Sequence, residues 1–182
     1  RISIGGCSNG GYMTMNMLIR YPKYFAAAYP TCEAYTDNCI SDFQLKSLAD
    51  ENIWFVQSFD DTTVDPKAHC ISTYNRLMDL NAKNVWMSMF ESVQGHDFPG
   101  TKLFGHFSWC YLFNDMVTGA QEQNKDLKPT NNGGGTVAPQ GFANIFEWMN
   151  AQVLKATEAP AANNRRGGAR ISRVDENGNA RY

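Results

Sequence analysis

Ile2-Ser3-Ile4-Gly5-Gly6-Cys7-Ser8-Asn9-Gly10-Gly11-Tyr12-Met13-Thr14-Met15 is the stretch on which the reading of this chain turns. Ile2 to Ile4 is a short apolar run that stops at a pair of glycines, as the end of a buried strand does. Asn9 to Arg20 then reads as a helix, mostly apolar from Tyr12 to Ile19, which Pro22 prevents from continuing. A helix apolar on most sides belongs inside a domain. Between strand and helix, Gly6-Cys7-Ser8-Asn9-Gly10 has the form G-x-S-x-G. Each residue type there has a chemical reason. A nucleophilic serine needs a sharp, strained turn so that its oxygen stands clear of the sheet. Side chains at the flanking positions are expected to collide with the neighbouring strand and helix, which favours glycine. The amide of Asn9, at a helix N-terminus, points toward a developing oxyanion. A phosphate-binding loop fits less well, because no Gly-Lys-Ser/Thr follows and the G-x-G-x-x-G spacing is absent.

Working outward, Phe25 to Tyr29 and Ile53 to Val56 read as two further buried strands. The turn-rich Asp60-Asp61-Thr62-Thr63 follows the second of them, and Pro66 stands where the first turn of a helix would begin. That helix is expected to run to about Leu80, with Ile71, Tyr74, Leu77 and Met78 at helical spacing, and Val85 to Phe90 is a fourth strand. Phe142 to Leu154 closes the pattern as an amphipathic helix. Gly119 to Gly141 reads as a Gly- and Asn-rich loop, expected to be mobile. Strands alternating with helices imply an α/β fold, a mostly parallel sheet with helices on both faces. Arg1 is not an initiator methionine, and the text alternates from its first residue. The expectation is therefore that N-terminal strands are missing. Residues 1–156 then form the C-terminal portion of a catalytic domain, and 157–182 a polar linker or disordered tail.

Composition sets bounds on function. The 182 residues are 43% apolar, 13% aromatic and 19% charged, with a net charge of −2. A nucleic-acid binder would show a clustered basic excess, and no apolar run reaches the length of a membrane span. Five cysteines (Cys7, Cys32, Cys39, Cys70, Cys110) contain no C-x-x-C pair, so zinc sites and redox dithiols are poorly supported. Buried free thiols are the expectation, with one disulfide such as Cys32 to Cys39 as the alternative.

A serine hydroxyl needs a base to take its proton, and the base needs an orienting acid. The chain order serine, acid, histidine is the one used on α/β-hydrolase sheets. Asp60 and Asp61 compete for the acid, with Asp65 more distant. Asp61 is favoured because it opens an Asp-x-x-Val-Asp-Pro turn in which Val64 can tuck under the sheet edge, whereas Asp60 would cap the turn through its backbone amides. Of the three histidines, His69 lies off the apolar stripe of its helix and reads as a surface residue. Spacing leaves His96 and His106 open as the base.

The longer stretch Gly5 to Met17 closely resembles the elbow of bacterial predicted peptidases of the α/β-hydrolase superfamily, relatives of the polyhydroxybutyrate depolymerase and feruloyl esterase type of serine esterases. Tyr29-Pro30-Thr31-Cys32-Glu33-Ala34-Tyr35, Asp61-Thr62-Thr63-Val64 and Gly105-His106-Phe107-Ser108-Trp109 resemble three further blocks of the pattern. The resemblance implies Ser8 as nucleophile, Asp61 as triad acid and His106 as base, leaving His96 in a loop. It also implies that the family's earlier strands, whose loop supplies a second oxyanion donor, precede this chain.

The function expected is that of a serine hydrolase acting on a carboxylic ester, an acylated polysaccharide or a small ester. The alternatives are a serine peptidase of prolyl-oligopeptidase type and a non-catalytic fragment or binding module. Asn9 supplies one oxyanion donor. Phe107 and Trp109 could form an aromatic wall for the substrate, although core anchoring fits Trp109 better, and Glu33 could face the cleft. No metal or organic cofactor is implied, and neither nucleic acid nor a membrane is an expected partner.

Overall fold

A computed structural model of the chain describes residues 1–95, 97 and 100–154; His96 and the expected tail from residue 157 lie outside them. The main sheet has four parallel strands in the order β1 (Ser3–Cys7), β2 (Ala27–Thr31), β3 (Ile53–Ser58) and β4 (Val85–Phe90). Among the described residues five α-helices accompany it: α1 (Asn9–Arg20), α2 (Asp42–Leu48), α3 (Cys70–Asp79), α4 (Trp109–Phe113) and α5 (Ile145–Ala151). A small antiparallel pair, β5 (Val93–Gln94) with β6 (Lys102–Leu103), follows β4.

The central strands read as continuous apolar text because both faces are covered, as in parallel sheets generally. In β3, Ile53 and Phe55 enter one core and Trp54 and Val56 the other. The first core receives Met15 and Leu18 of α1, Leu45 and Leu48 of α2, and Tyr74 and Leu77 of α3. The second receives Tyr111 and Leu112 of α4 and Ile145 and Trp148 of α5. Each such side chain withdrawn from water stabilises the fold by roughly 1.5–3 kcal/mol. The two faces are thus held by separate clusters, and the architecture is α/β with helices on both sides, as expected.

β2 lies inside the sheet, yet it carries Pro30, which has no amide to donate. The ladder toward β3 skips one rung there, between Ala28 N–H to the Asn52 carbonyl (2.8 Å) and Cys32 N–H to the Val56 carbonyl (2.8 Å).

The Gly- and Asn-rich segment from Gly119 to Gly141 is fastened to the sheet. It lies against the outer edge of β4, which accepts from Gln121 N–H at the Met87 carbonyl (2.7 Å) and from Thr130 N–H at the Met89 carbonyl (3.0 Å), and donates from Met89 N–H to the Gly134 carbonyl (2.9 Å). The buried Gln121 side chain ties the segment to itself by donating to the Lys128 and Gly134 carbonyls and accepting from Lys128 N–H. A sheet edge covered in this way offers no free ladder to another chain. All five cysteines are free thiols, so Cys32 and Cys39 are not joined. Among the described residues, no helix is long and apolar enough to cross a membrane.

Candidate active site

Parallel strands in register bring their carboxyl ends to one edge: Cys7 lies beside Thr31, Thr31 beside Val56, and Ser58 beside Phe90. Loops leaving those ends meet there, where ligand sites on open α/β sheets form. Ser8 follows β1 directly. Its φ of 57° and ψ of −117° place it in a conformation that L residues avoid. The turn is held by Ser8 N–H to the Thr31 carbonyl (3.0 Å) and by Tyr12 N–H to the Ser8 carbonyl (2.9 Å).

The glycine requirement falls differently from the formal motif. A Cβ at Gly6 would come within 2.6 Å of the Gly10 backbone, so that glycine is obligatory. At Gly10 a Cβ would meet nothing within 4 Å, against the expectation of a collision. The crowded position is Gly11, where a Cβ would lie 2.7 Å from Glu33 Cα and 2.9 Å from the Thr31 carbonyl oxygen. The first turn of α1 packs on the end of β2, and Gly11 is the contact.

Asp61 sits in the turn after β3 with its side chain fully buried. Its Oδ1 accepts from the amides of Thr63 (2.8 Å) and Val64 (3.0 Å), and its Oδ2 lies 2.8 Å from His106 Nδ1 and accepts from Gln57 Nε2 (3.1 Å). Asp60 turns the other way, accepting from the Ser58 hydroxyl (2.6 Å) and pairing with Lys102 (2.8 Å). The backbone-amide capping expected of Asp60 is therefore performed by Asp61, while Val64 is buried as expected.

His106 lies in the 3₁₀ turn Gly105–Phe107, with its Nε2 2.9 Å from Ser8 Oγ. A carboxylate only accepts, so the hydrogen between Asp61 and His106 sits on Nδ1, and Nε2 is left to accept from the serine hydroxyl. Ser8, Asp61 and His106 thus form one chain of hydrogen bonds. His69 is instead half-buried at the start of α3, between the Asp65 carbonyl (2.8 Å) and Thr36 Oγ1 (3.3 Å). Asn9 opens α1 on the exposed side of the elbow.

Around the histidine lies an aromatic rim. The His106 and Trp109 rings meet edge to face at 5.4 Å, Trp109 is 5.0 Å from Phe107, and Phe107 is 6.0 Å from Phe104. Phe104 and Phe107 are 48% and 40% exposed, while Trp109 is partly buried behind them. Glu33 is buried rather than exposed for a substrate contact, which corrects the expectation. Only 1% of it is exposed, one carboxyl oxygen accepts from Tyr35 N–H (2.7 Å), and the other has no partner among the described residues. Burial, reinforced by the charge of Asp37 and opposed by the Tyr35 bond, pushes its carboxyl up to about 8. Burial likewise lifts the Cys7 thiol to about 11, so the cysteine beside Ser8 stays protonated at neutral pH. Gln57 was not singled out from sequence; a lone polar residue near a strand end carries no signal until its partner is known. Among the described residues, no cluster of three or more His, Cys, Asp or Glu is placed to hold a metal ion.

A parallel sheet covered on both faces, with an elbow after one strand and the acid and histidine on loops after later ones, is the arrangement of the α/β-hydrolase fold. No family model and no curated protein matches the chain. Among solved structures it is similar to a thermostable esterase, at 24% identity and a TM-score of 0.49, over 63% of this chain and 28% of that one. It is also similar to an acylaminoacyl peptidase, at 22% identity and a TM-score of 0.43, over 64% of this chain and 23% of that one. The chain therefore spans about a quarter of the length of these proteins.

Proposed function

We propose that this chain carries the catalytic triad of a serine hydrolase whose substrate is a carboxylic ester, of an acylated polysaccharide or of a small molecule. The observation that carries the reading is the continuous hydrogen-bond chain from Ser8 Oγ through His106 to Asp61. In the proposed reaction His106 Nε2 takes the hydroxyl proton as Ser8 Oγ attacks the ester carbonyl. The Asn9 amide, at the helix N-terminus, donates to the oxyanion. Collapse of the tetrahedral intermediate breaks the bond to the leaving alkoxide, which receives the proton from His106. Water, deprotonated by His106, then attacks the acyl-enzyme; the bond from Ser8 Oγ to the acyl carbon breaks, His106 returns the proton to Ser8 Oγ, and the acid is released. Asp61 holds the imidazole tautomer and offsets the positive charge that forms on it. Phe104 and Phe107, exposed beside the base, provide an apolar wall for the acyl or alcohol part.

A fluorophosphonate probe tests the reading without knowledge of the substrate. The wild-type protein is expected to be labelled at Ser8, and Ser8→Ala to give no label. His106→Ala should slow labelling by about 10³ or more, whereas His96→Ala should leave it unchanged. Equal labelling of Ser8→Ala, or loss confined to His96→Ala, overturns the assignment. A panel of aryl and sugar acyl esters beside peptide substrates then tests the ester preference, with ester turnover the expected result.

A further inference from the structure

The triad acid has a neighbour with no part in the reaction above. Gln57 is fully buried near the carboxyl end of β3, and its Nε2 donates to Asp61 Oδ2 (3.1 Å) and to the Ser58 carbonyl (3.2 Å). Its Oε1 is buried and has no partner among the described residues. The orientation is dictated by chemistry. Turned over, the amide would set its carbonyl oxygen against two acceptors, a carboxylate and a backbone carbonyl. An orphaned buried carbonyl is destabilising, and an apolar side chain of similar length would avoid it. What the glutamine supplies that such a side chain cannot is the N–H directed at Asp61.

We propose that Gln57 is a positioning residue of the triad: its side-chain amide holds Asp61 Oδ2 and shares with His106 the charge on that oxygen. The proposal rests on the triad reading above. Oδ1 is bound by the backbone amides of Thr63 and Val64, which fix the plane of the carboxyl group. Oδ2 is divided between the imidazole and Gln57. A carboxylate oxygen that accepts two hydrogen bonds offers less charge to each donor than one that accepts a single bond. Without the amide, Oδ2 turns its full charge on the ring and favours the imidazolium. The base is then protonated at a higher pH and withdrawn from use there. A residue that merely filled space would lower the rate at every pH alike.

The test compares the second-order rate of fluorophosphonate labelling at Ser8 across pH in the full chain, for wild type, Gln57→Met and Gln57→Glu. Gln57→Met keeps the length and removes both the donor and the orphaned oxygen. Its acid limb is expected to move up by about half to one pH unit, with the plateau lowered by no more than about tenfold. Gln57→Glu restores a donor only while the introduced carboxyl is protonated, so labelling should gain a new alkaline limb. The Nδ1 proton resonance of His106, identified by its loss in His106→Ala, should move downfield in Gln57→Met as the bond to Asp61 strengthens. An acid limb that does not move, or moves down, overturns the role of Gln57 while leaving the triad reading intact. If Gln57→Met fails to fold, a Gln57→Glu profile with no new alkaline limb overturns it instead. Wild type that is not labelled at Ser8 overturns the triad reading and this role together.

Discussion

At the scale of single residues, two buried carboxyls close to the elbow are handled in opposite ways. Asp61 receives four hydrogen bonds, whereas Glu33 receives one and burial pushes its carboxyl up to about 8. In the unfolded chain Glu33 ionises near its ordinary 4.5, while in the folded protein it keeps its proton until about 8. Because the folded state holds the proton more tightly, folding is penalised progressively as pH rises through this window. The penalty reaches at most about 5 kcal/mol and is constant above it. Glu33→Gln removes the charge and keeps the shape. Chemical unfolding at pH 5 and pH 8 should show the variant more stable than wild type at pH 8, with the gap narrowing toward pH 5. An equal gap at both values would show that Glu33 is not the titrating group. That two adjacent aspartates, Asp60 and Asp61, take unrelated partners follows from their directions in a tight turn. Sequence could rank them through Val64 but could not show their hydrogen bonds.

At the scale of elements, the elbow depends on how closely α1 approaches β2. Gly11→Ala would drive a Cβ into the Glu33 backbone and should destabilise by about 2–3 kcal/mol. Gly10→Ala meets open space inside a helix and should stabilise by about 0.5–1 kcal/mol. Paired denaturant melts check both signs, and a larger loss at Gly10 would mean that the motif's formal glycine, rather than the packing contact, controls the turn. The bounds of α1 and β4 were legible as they stand, because a long apolar helix ended by Pro22 and a continuous six-residue run leave little room for another reading. The seven-residue α2 was missed, although Ser41 and Gln44 form a capping box whose Ser-x-x-Gln spacing is visible in the text. The two-residue strands β5 and β6 are too short to show any periodicity. α5 starts three residues later than its apolar stripe, because Asn144 caps it by accepting from Glu147 N–H (2.9 Å). Of the site, Ser8 was readable because strand, turn and helix agree around it. Gln57 was not, since its meaning lies in a contact made four residues on.

At the scale of the whole molecule, the end of the sheet remote from Ser8 has its own polar fastening. Asn84, just before β4, accepts from both indoles, Trp86 (2.7 Å) and Trp148 of α5 (3.1 Å), and donates to Asn52 (2.7 Å) and Gln152 (2.9 Å). Asn84→Ala leaves two indole N–H groups without their acceptor and should cost about 2–4 kcal/mol of stability. Fluorophosphonate labelling of the folded variant should proceed at the wild-type rate; a loss below about 0.5 kcal/mol in a denaturant melt would show that the hub is dispensable. The proposed triad is itself a long-range closure. His106 meets Ser8 across 98 positions of chain and Asp61 across 45. Such closures are entropically late, made after local helices and neighbouring strands already exist. Until then Ser8 is an ordinary alcohol beside an ordinary thiol. On the proposed function, chemical reactivity begins with the last long-range contacts rather than with the first helices, and a chain that has regained most of its secondary structure but not the docking of residues 105–107 would be spectroscopically native and chemically silent.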